Sequence, residues 1–100
     1  MNTDFALLLT GMRDDFVAEL PEHCDLLEEC VLALERGAAG AFDELFRRVH
    51  SLKGSGGTFG MPLVTGVCHQ FESFIRAAKE RFDPLAISQA LSYVDLLRRV

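Results

Sequence analysis

Residues Arg47 to Gly60 read Arg-Arg-Val-His-Ser-Leu-Lys-Gly-Ser-Gly-Gly-Thr-Phe-Gly, and the interpretation of the whole chain depends on them. If a helix runs through this stretch, one face of it carries residues at spacings i, i+3, i+4 and i+7, namely His50, Lys53, Gly54 and Gly57. That face presents a nucleophile, a cation and no bulky side chain. Glycine within a helix costs up to about 1 kcal/mol relative to alanine, so several together indicate a role beyond folding.

A second interpretation ends the helix at Gly54. Glycine is common just after the last turn of a helix, and residues 55–60 would then form a loop. The stretch alone favours neither interpretation.

The composition describes one small domain of 100 residues, 49% of them hydrophobic, with a net charge of −5. The basic residues are scattered or paired, whereas nucleic-acid binding usually requires a basic stripe, so nucleic acid is not an expected partner. No apolar run approaches the roughly 20 residues that span a membrane. The apolar residues near the N-terminus have neither a basic segment before them nor a cleavage site after them. We therefore expect a cytoplasmic protein, and a monomer, because the polar helix faces look solvated.

The chain contains three cysteines, Cys24, Cys30 and Cys68. An odd number without a close pair is typical of free thiols in a reducing compartment, where they serve as small core residues.

Apolar periodicity predicts an all-α protein, an antiparallel up-down four-helix bundle with a short extra N-terminal helix. The extra helix is expected at residues 3–12, as a lid or as an extension of the next helix. The bundle helices are expected at 14–36, from 40 through at least 53, at 61–80 and at 84–100. The apolar seams predicted for the first three are Leu20, Cys24, Leu27, Val31 and Leu34; Phe42, Leu45, Phe46, Val49 and Leu52; and Leu63, Val67, Phe71, Phe74 and Ala78. Pro21 interrupts the first bundle helix and is expected to kink it or to mark a restart.

His50 is the first candidate for chemistry. An unperturbed imidazole has a pKa of about 6.5, so it is a usable nucleophile at neutral pH. Lys53 would neutralise part of the charge of a phosphoryl group on the ring, and Gly54 and Gly57 would leave room for the donor and the acceptor. The alternative is a surface histidine without a task.

His69 and Glu72 lie three residues apart on the following helix. If the two helices are neighbours, Glu72 is a candidate acceptor for the second nitrogen of His50, which would fix its tautomer. Otherwise Glu72 is an ordinary solvated carboxylate. His69 either flanks the same site or is a plain surface residue.

Other chemistries have weaker support. The glycines match neither a Walker loop nor a dinucleotide-binding fingerprint, and no nucleotide pocket is visible, so an ATP-dependent kinase domain is not expected. No serine elbow supports a hydrolase based on Ser51 or Ser55. A zinc site would draw on His50, Cys68, His69 and Glu72, but no pair has a standard zinc spacing.

Residues 50–57, His-Ser-Leu-Lys-Gly-Ser-Gly-Gly, resemble the histidine phosphotransfer (HPt) domain family of two-component signalling. The resemblance continues through Gly60-Met61 before the next helix and Phe71-Glu72 within it. The Thr58-Phe59-Gly60 ending, together with His69 and Glu72, is most similar to the phosphotransfer domain of chemotaxis histidine kinases. Nearly the whole chain fits this helical pattern, and residues 46–72 carry its specificity.

The resemblance implies that the helix continues through the glycines to about Phe59. It implies an exposed His50 that is phosphorylated on the nitrogen away from the helix backbone. Glu72 would hold the other nitrogen, and Lys53 would lie near the phosphoryl group. The chain would act as a carrier and not as an enzyme.

The resemblance also implies partners. The phosphoryl group would be exchanged with an aspartate of a response-regulator receiver domain, which brings the Mg²⁺, and a histidine kinase or hybrid kinase would be the donor. No cofactor is expected in the chain itself. We expect the partner to dock on the surface formed by Ser51, Gly54, Gly57 and Phe59. Chemotaxis kinases usually have a further helix after the bundle, and none is predicted in this sequence. A free-standing protein and a domain of a larger kinase are therefore both possible interpretations.

Two alternatives compete with the carrier. One is a non-catalytic interaction module that docks a partner on the glycine-lined face, since a helical bundle hosts many functions. The other is a metal-binding bundle that uses the four zinc candidates named above.

Overall fold

A computed structural model describes residues 2–79 and 81–100. The four helices are α1 (Asn2–Glu35), α2 (Ala41–Thr58), α3 (Pro62–Ala78) and α4 (Pro84–Arg98), and no strand occurs in the described ranges. Each helix packs against the next, and α4 returns to pack against α1. Because the connections are short, consecutive helices run antiparallel. This arrangement confirms the predicted all-α four-helix bundle.

The extra N-terminal helix is not a separate element. The predicted break near residue 13 is absent, and α1 continues from Asn2 to Glu35 through both Gly11 and Pro21. A helix of 34 residues is about 51 Å long at 1.5 Å per residue, which matches the 52 Å long axis of the molecule. Residues 3–15 are all exposed, so this part extends α1 beyond the bundle. Of the two outcomes expected at Pro21, a kink or a restart, the restart does not occur, because α1 is continuous through this residue.

The glycine-rich stretch is helical, as the resemblance implied. α2 passes through Gly54, Gly56 and Gly57 and ends in a Schellman motif, in which Gly60 adopts a left-handed conformation with a φ of 67°. The N–H of Met61 donates to the carbonyl oxygen of Gly56 at 2.8 Å, and that of Gly60 donates to the carbonyl oxygen of Gly57 at 3.4 Å. Only a residue that tolerates positive φ closes a helix in this way.

The other helix ends differ little from expectation. α3 begins at Pro62 and ends at Ala78, and the last residue predicted for it, Glu80, lies outside the described residues. Asp83 caps α4, accepting a hydrogen bond from the backbone N–H of Ala86 at 2.8 Å, with Pro84 at the first helical position.

The core is built from one apolar seam on each helix. In α1 the seam includes Leu20, Cys24, Leu27 and Val31, as the periodicity predicted. In α3 the buried residues are Val64, Cys68, Phe71, Glu72 and Ile75. Leu63, which the sequence placed in that seam, is 68% exposed. The true register of α3 turns Glu72 towards α2.

Helices α2 and α3 lie close together at Gly56. A Cβ atom built on this residue would lie 2.7 Å from Thr65 Oγ1, 3.0 Å from the Thr65 backbone nitrogen and 3.0 Å from Val64 Cγ1. The Thr65 hydroxyl in turn donates a hydrogen bond to the Lys53 carbonyl at 3.2 Å. Gly56 therefore sets the distance between the two helices that carry the candidate site.

Candidate functional site

Glu72 is the centre of the candidate site. Its side chain is only 3% exposed, and it lies among groups that carry or accept positive charge. Its Oε2 lies 2.7 Å from Nδ1 of His50, and its Oε1 accepts a hydrogen bond from Nζ of Lys53 at 3.0 Å. A guanidinium nitrogen of Arg76 lies 3.4 Å from the same Oε1. The structure thus brings together three sequence-predicted residues and a fourth that the sequence analysis did not select.

The carboxyl group of Glu72 is ionised at neutral pH. Burial alone would raise its pKa, but the hydrogen bonds from His50 and Lys53, with the charges of Lys53 and Arg76, outweigh burial and lower the pKa below its usual value. An ionised carboxylate can only accept hydrogen bonds, so Nδ1 of His50 carries the proton and donates the hydrogen bond to Glu72. The lone pair of the neutral imidazole then lies on Nε2.

Nε2 of His50 is accessible. The side chain of His50 is 63% exposed, and among the described residues its ring makes a side-chain hydrogen bond only through Nδ1. One nitrogen is therefore fixed by the protein and the other is open, which is the arrangement of an oriented nucleophile.

Phe46 and Arg76 lie next to the histidine and its partner. Phe46 is one turn from His50 on α2, and Arg76 is one turn from Glu72 on α3. The ring of Phe46 is parallel to the imidazole of His50, with 6.3 Å between centroids and 6° between planes. The guanidinium carbon of Arg76 lies 5.3 Å from the Phe46 centroid, a cation–π distance. Sequence analysis had placed Phe46 in the core stripe and passed over Arg76. Its spacing of i+4 from Glu72 was the signal that could have identified it.

A shallow groove of about 750 Å³ lies beside the site between α2 and α3. Its lining includes Lys53, Gly54, Gly57 and His69. His69 is exposed and makes no side-chain hydrogen bond within residues 2–79 and 81–100, so it flanks the site without entering the network around Glu72. A Cβ on Gly54 would meet nothing within 4 Å, and one on Gly57 would meet only Thr65 Oγ1 at 3.9 Å. The absence of a side chain at Gly54 and Gly57 therefore leaves space in the groove and is not required for the packing of the bundle.

The other two residues predicted to bind the partner, Ser51 and Phe59, do not line this groove. Ser51 is exposed beside His50 and lines a cavity of about 110 Å³ together with His23 and Arg48. Phe59 is half-buried, and its ring stacks on Phe16 with 5.4 Å between centroids. Phe59 is therefore more a part of the bundle's packing than the sequence indicated.

Two further searches bear on function. Within the described ranges, no group of three or more His, Cys, Asp or Glu side chains is placed to hold a metal ion. None of the helices in those ranges combines the length and apolar character needed to cross a lipid bilayer.

Comparison with known families decides the assignment. The family model for the Hpt domain matches residues 11–100. The chain belongs to the Hpt domain family. An Hpt domain is a phosphotransfer module of two-component signalling, a phosphocarrier and not a catalytic kinase.

Relatives of this Hpt domain include chemotaxis proteins. It is 30% identical over 89 residues to the chemotaxis protein CheA of Treponema pallidum (strain Nichols), an alignment covering 84% of this chain and 11% of that protein. It is 29% identical over 92 residues to CheA of Listeria monocytogenes, covering 90% of this chain and 14% of that protein. The chain thus spans only a small part of these relatives. No solved structure matches it significantly.

Proposed function

We propose that this Hpt domain carries a phosphoryl group on Nε2 of His50 and exchanges it with an aspartate of a response-regulator receiver domain. The observation that carries the proposal is the 2.7 Å contact between Nδ1 of His50 and the buried carboxylate of Glu72. That contact fixes the tautomer, and the exposure of the imidazole leaves Nε2 free to react.

In the accepting direction, the Nε2 lone pair attacks the phosphorus of the receiver's aspartyl phosphate. The N–P bond forms as the bond between phosphorus and the carboxylate oxygen breaks, and the aspartate leaves as a carboxylate. The imidazole ring becomes positively charged and keeps its proton on Nδ1, where Glu72 stabilises it by a charge-assisted hydrogen bond. The reverse reaction restores the neutral ring, so the histidine is regenerated.

Lys53 has the second role in this account. Lys53 lies one turn along α2 from His50, and its side chain is 25% exposed, so its ammonium group could turn towards a phosphoryl group on His50. A lysine near a phosphoryl group offsets the charge that the group brings. We expect the Mg²⁺ and the remaining charge stabilisation to come with the receiver domain.

The groove beside the site is the proposed docking surface for that receiver. Gly54 and Gly57 keep the backbone of α2 accessible there, and Ser51 adds an exposed hydroxyl next to His50. The donor in this proposal is a histidine kinase or hybrid kinase, which supplies the ATP site that the carrier itself would lack. The proposed compartment is the cytoplasm. The similarity to chemotaxis proteins supports a place in a chemotaxis pathway.

The test is transfer from a phosphorylated receiver domain to the purified chain, compared with His50→Gln and with His69→Gln as the matched control. We expect transfer to the parent chain and to His69→Gln, and none to His50→Gln with helicity unchanged. Receiver binding that survives in all three proteins without any transfer would instead support an interaction module. Stoichiometric zinc in the purified protein would support the metal-binding alternative.

A further inference from the structure

The carboxylate of Glu72 is shared unequally by its three partners. His50 has Oε2 to itself, whereas Lys53 and Arg76 both lie on Oε1, at 3.0 Å and 3.4 Å. The Lys53 contact is a hydrogen bond. The Arg76 contact is an ion pair at longer range, on a side chain that is 64% exposed.

This sharing matters because the proposed function gives Lys53 a second task. When Lys53 turns towards a phosphoryl group on His50, its hydrogen bond to Glu72 is weakened or lost. A buried carboxylate that loses a charged partner is strongly disfavoured. The movement of Lys53 would therefore be resisted unless another cation compensates Oε1.

Arg76 is placed to be that cation. It follows Glu72 by one turn of α3, so the two side chains lie on the same helical face. Its guanidinium group is held over Phe46 at 5.3 Å, and Phe46 is in turn parallel to the imidazole of His50. Arg76 is thus held by the site itself, and a small shortening of the 3.4 Å distance to Oε1 would convert the ion pair into a hydrogen bond.

We propose that Arg76 is a positioning residue that takes over Oε1 of Glu72 when Lys53 turns to the phosphoryl group on His50. The inference rests on the proposed function and deepens it. Arg76 acts through Glu72 and Lys53, and its own contact with the phosphoryl group is not required. Glu72 keeps a charged partner on Oε1 throughout, so the hydrogen bond that orients His50 is preserved in both states.

The experiment is a double-mutant cycle on phosphorylation of the purified full chain by phosphoramidate, a small phosphodonor that removes receiver docking from the measurement. Arg76→Gln should slow labelling of His50 by about tenfold in the parent chain, the effect of one charge-assisted hydrogen bond. In the Lys53→Gln background, Arg76 is the remaining cation on Oε1, so the same change should cost clearly more than about tenfold, the non-additivity expected of two partners of one carboxylate.

Two further variants control the interpretation. Arg76→Lys keeps the charge but loses the planar group over Phe46, so it should restore only part of the rate. Arg47→Gln removes a nearby exposed arginine that pairs with Glu44 and not with Glu72, and it should label like the parent chain. Circular dichroism of each variant establishes that the bundle is intact.

The outcomes separate this inference from the function on which it rests. No labelling of the parent chain on His50 would overturn the proposed function and this inference together. Normal labelling of the parent chain with an unchanged rate in Arg76→Gln would overturn the role of Arg76 alone. A loss in Lys53→Gln that is equal to or smaller than the loss in the parent chain would also overturn it, because Arg76 would then not substitute for Lys53.

Discussion

His50 on α2 and Glu72 on α3 are joined by a 2.7 Å contact from Nδ1 to Oε2, which links the exposed nucleophile to the only charged side chain in the buried set of the described residues. The contact performs two tasks. It selects the tautomer that leaves Nε2 unprotonated, and in the proposed function it would stabilise the positive ring that phosphorylation produces. The chemistry of the site therefore depends on a residue that no partner protein needs to touch.

Removal of this acceptor should affect the reaction more than binding. Glu72→Ala should slow phosphorylation of His50 by at least about tenfold, because tautomer selection and ring stabilisation are both lost. Glu72→Gln, whose amide oxygen can still accept from Nδ1–H, should lie between the alanine variant and the parent chain. Rates measured beside the receiver dissociation constant test this, and equal losses in rate and affinity would show that Glu72 acts on receiver binding and not on the orientation of His50.

The same carboxylate should make stability depend on acid. Since the folded-state pKa of Glu72 lies below its unfolded value of about 4.3, its contribution to stability is fully present above that value and is lost as pH falls through the folded pKa. The unfolding free energy of the parent chain relative to Glu72→Gln should therefore decline as the pH is lowered from about 5 to about 3. Urea unfolding of both proteins across this range measures it, and a constant difference would contradict the assigned charge state.

Two glycines of α2 should respond oppositely to alanine. Gly56→Ala should destabilise the bundle by about 1–3 kcal/mol, because its Cβ would clash with the backbone and the short side chain of Thr65. Gly54→Ala meets open space and should stabilise α2 by up to about 1 kcal/mol through higher helix propensity. Thermal or urea unfolding compares the pair. Equal effects of the two changes would mean that the close approach of α2 and α3 is not specific to Gly56.

If the groove is the docking surface, Gly54→Ala has a second consequence. A more stable Gly54→Ala chain should still bind the receiver domain more weakly than the parent chain, because the added methyl group fills part of the space beside Lys53. Unchanged affinity, measured by calorimetry on the same samples, would move the docking surface away from this residue.

The thiol of Cys68 should be protected in the folded protein. Burial raises its pKa to about 12, and its side chain is fully buried, so neither the thiolate nor access for a reagent is available. Iodoacetamide at about pH 8 should label Cys68 only after unfolding in guanidinium chloride. Peptide mass mapping of native and unfolded samples gives the result, and rapid native labelling would show that α3 is not packed as described.

The four bundle helices were readable from the sequence because each seam repeats apolar residues at three- and four-residue steps. The N-terminal boundary of α1 was not predicted correctly. Gly11 and Pro21 weaken a helix locally, but neither stops one that is otherwise favourable, so α1 continues through both. The register of α3 was also misread at Leu63, since Leu63 and Val64 are adjacent and equally apolar, and only packing against α2 selects between them.

The candidate site was predictable in part. The spacing of His50 and Lys53 beside the glycines identified both residues, and the resemblance favoured Glu72 over an ordinary solvated carboxylate. Gly56 was not distinguished from its neighbours, since its importance comes from Thr65 on another helix. Arg76 was missed because an exposed arginine becomes significant only when its partners, a buried carboxylate and an aromatic ring, are located in space.

The most direct test of the account is to phosphorylate the purified chain with phosphoramidate and to locate the phosphoryl group. Intact mass, acid lability and heteronuclear NMR of the imidazole nitrogens together identify the residue and the ring atom. The account predicts one acid-labile, base-stable phosphoryl group on Nε2 of His50, absent from His50→Gln and retained in His69→Gln. A group on Nδ1 of His50, a group on His69, or no labelling of a correctly folded chain would contradict it.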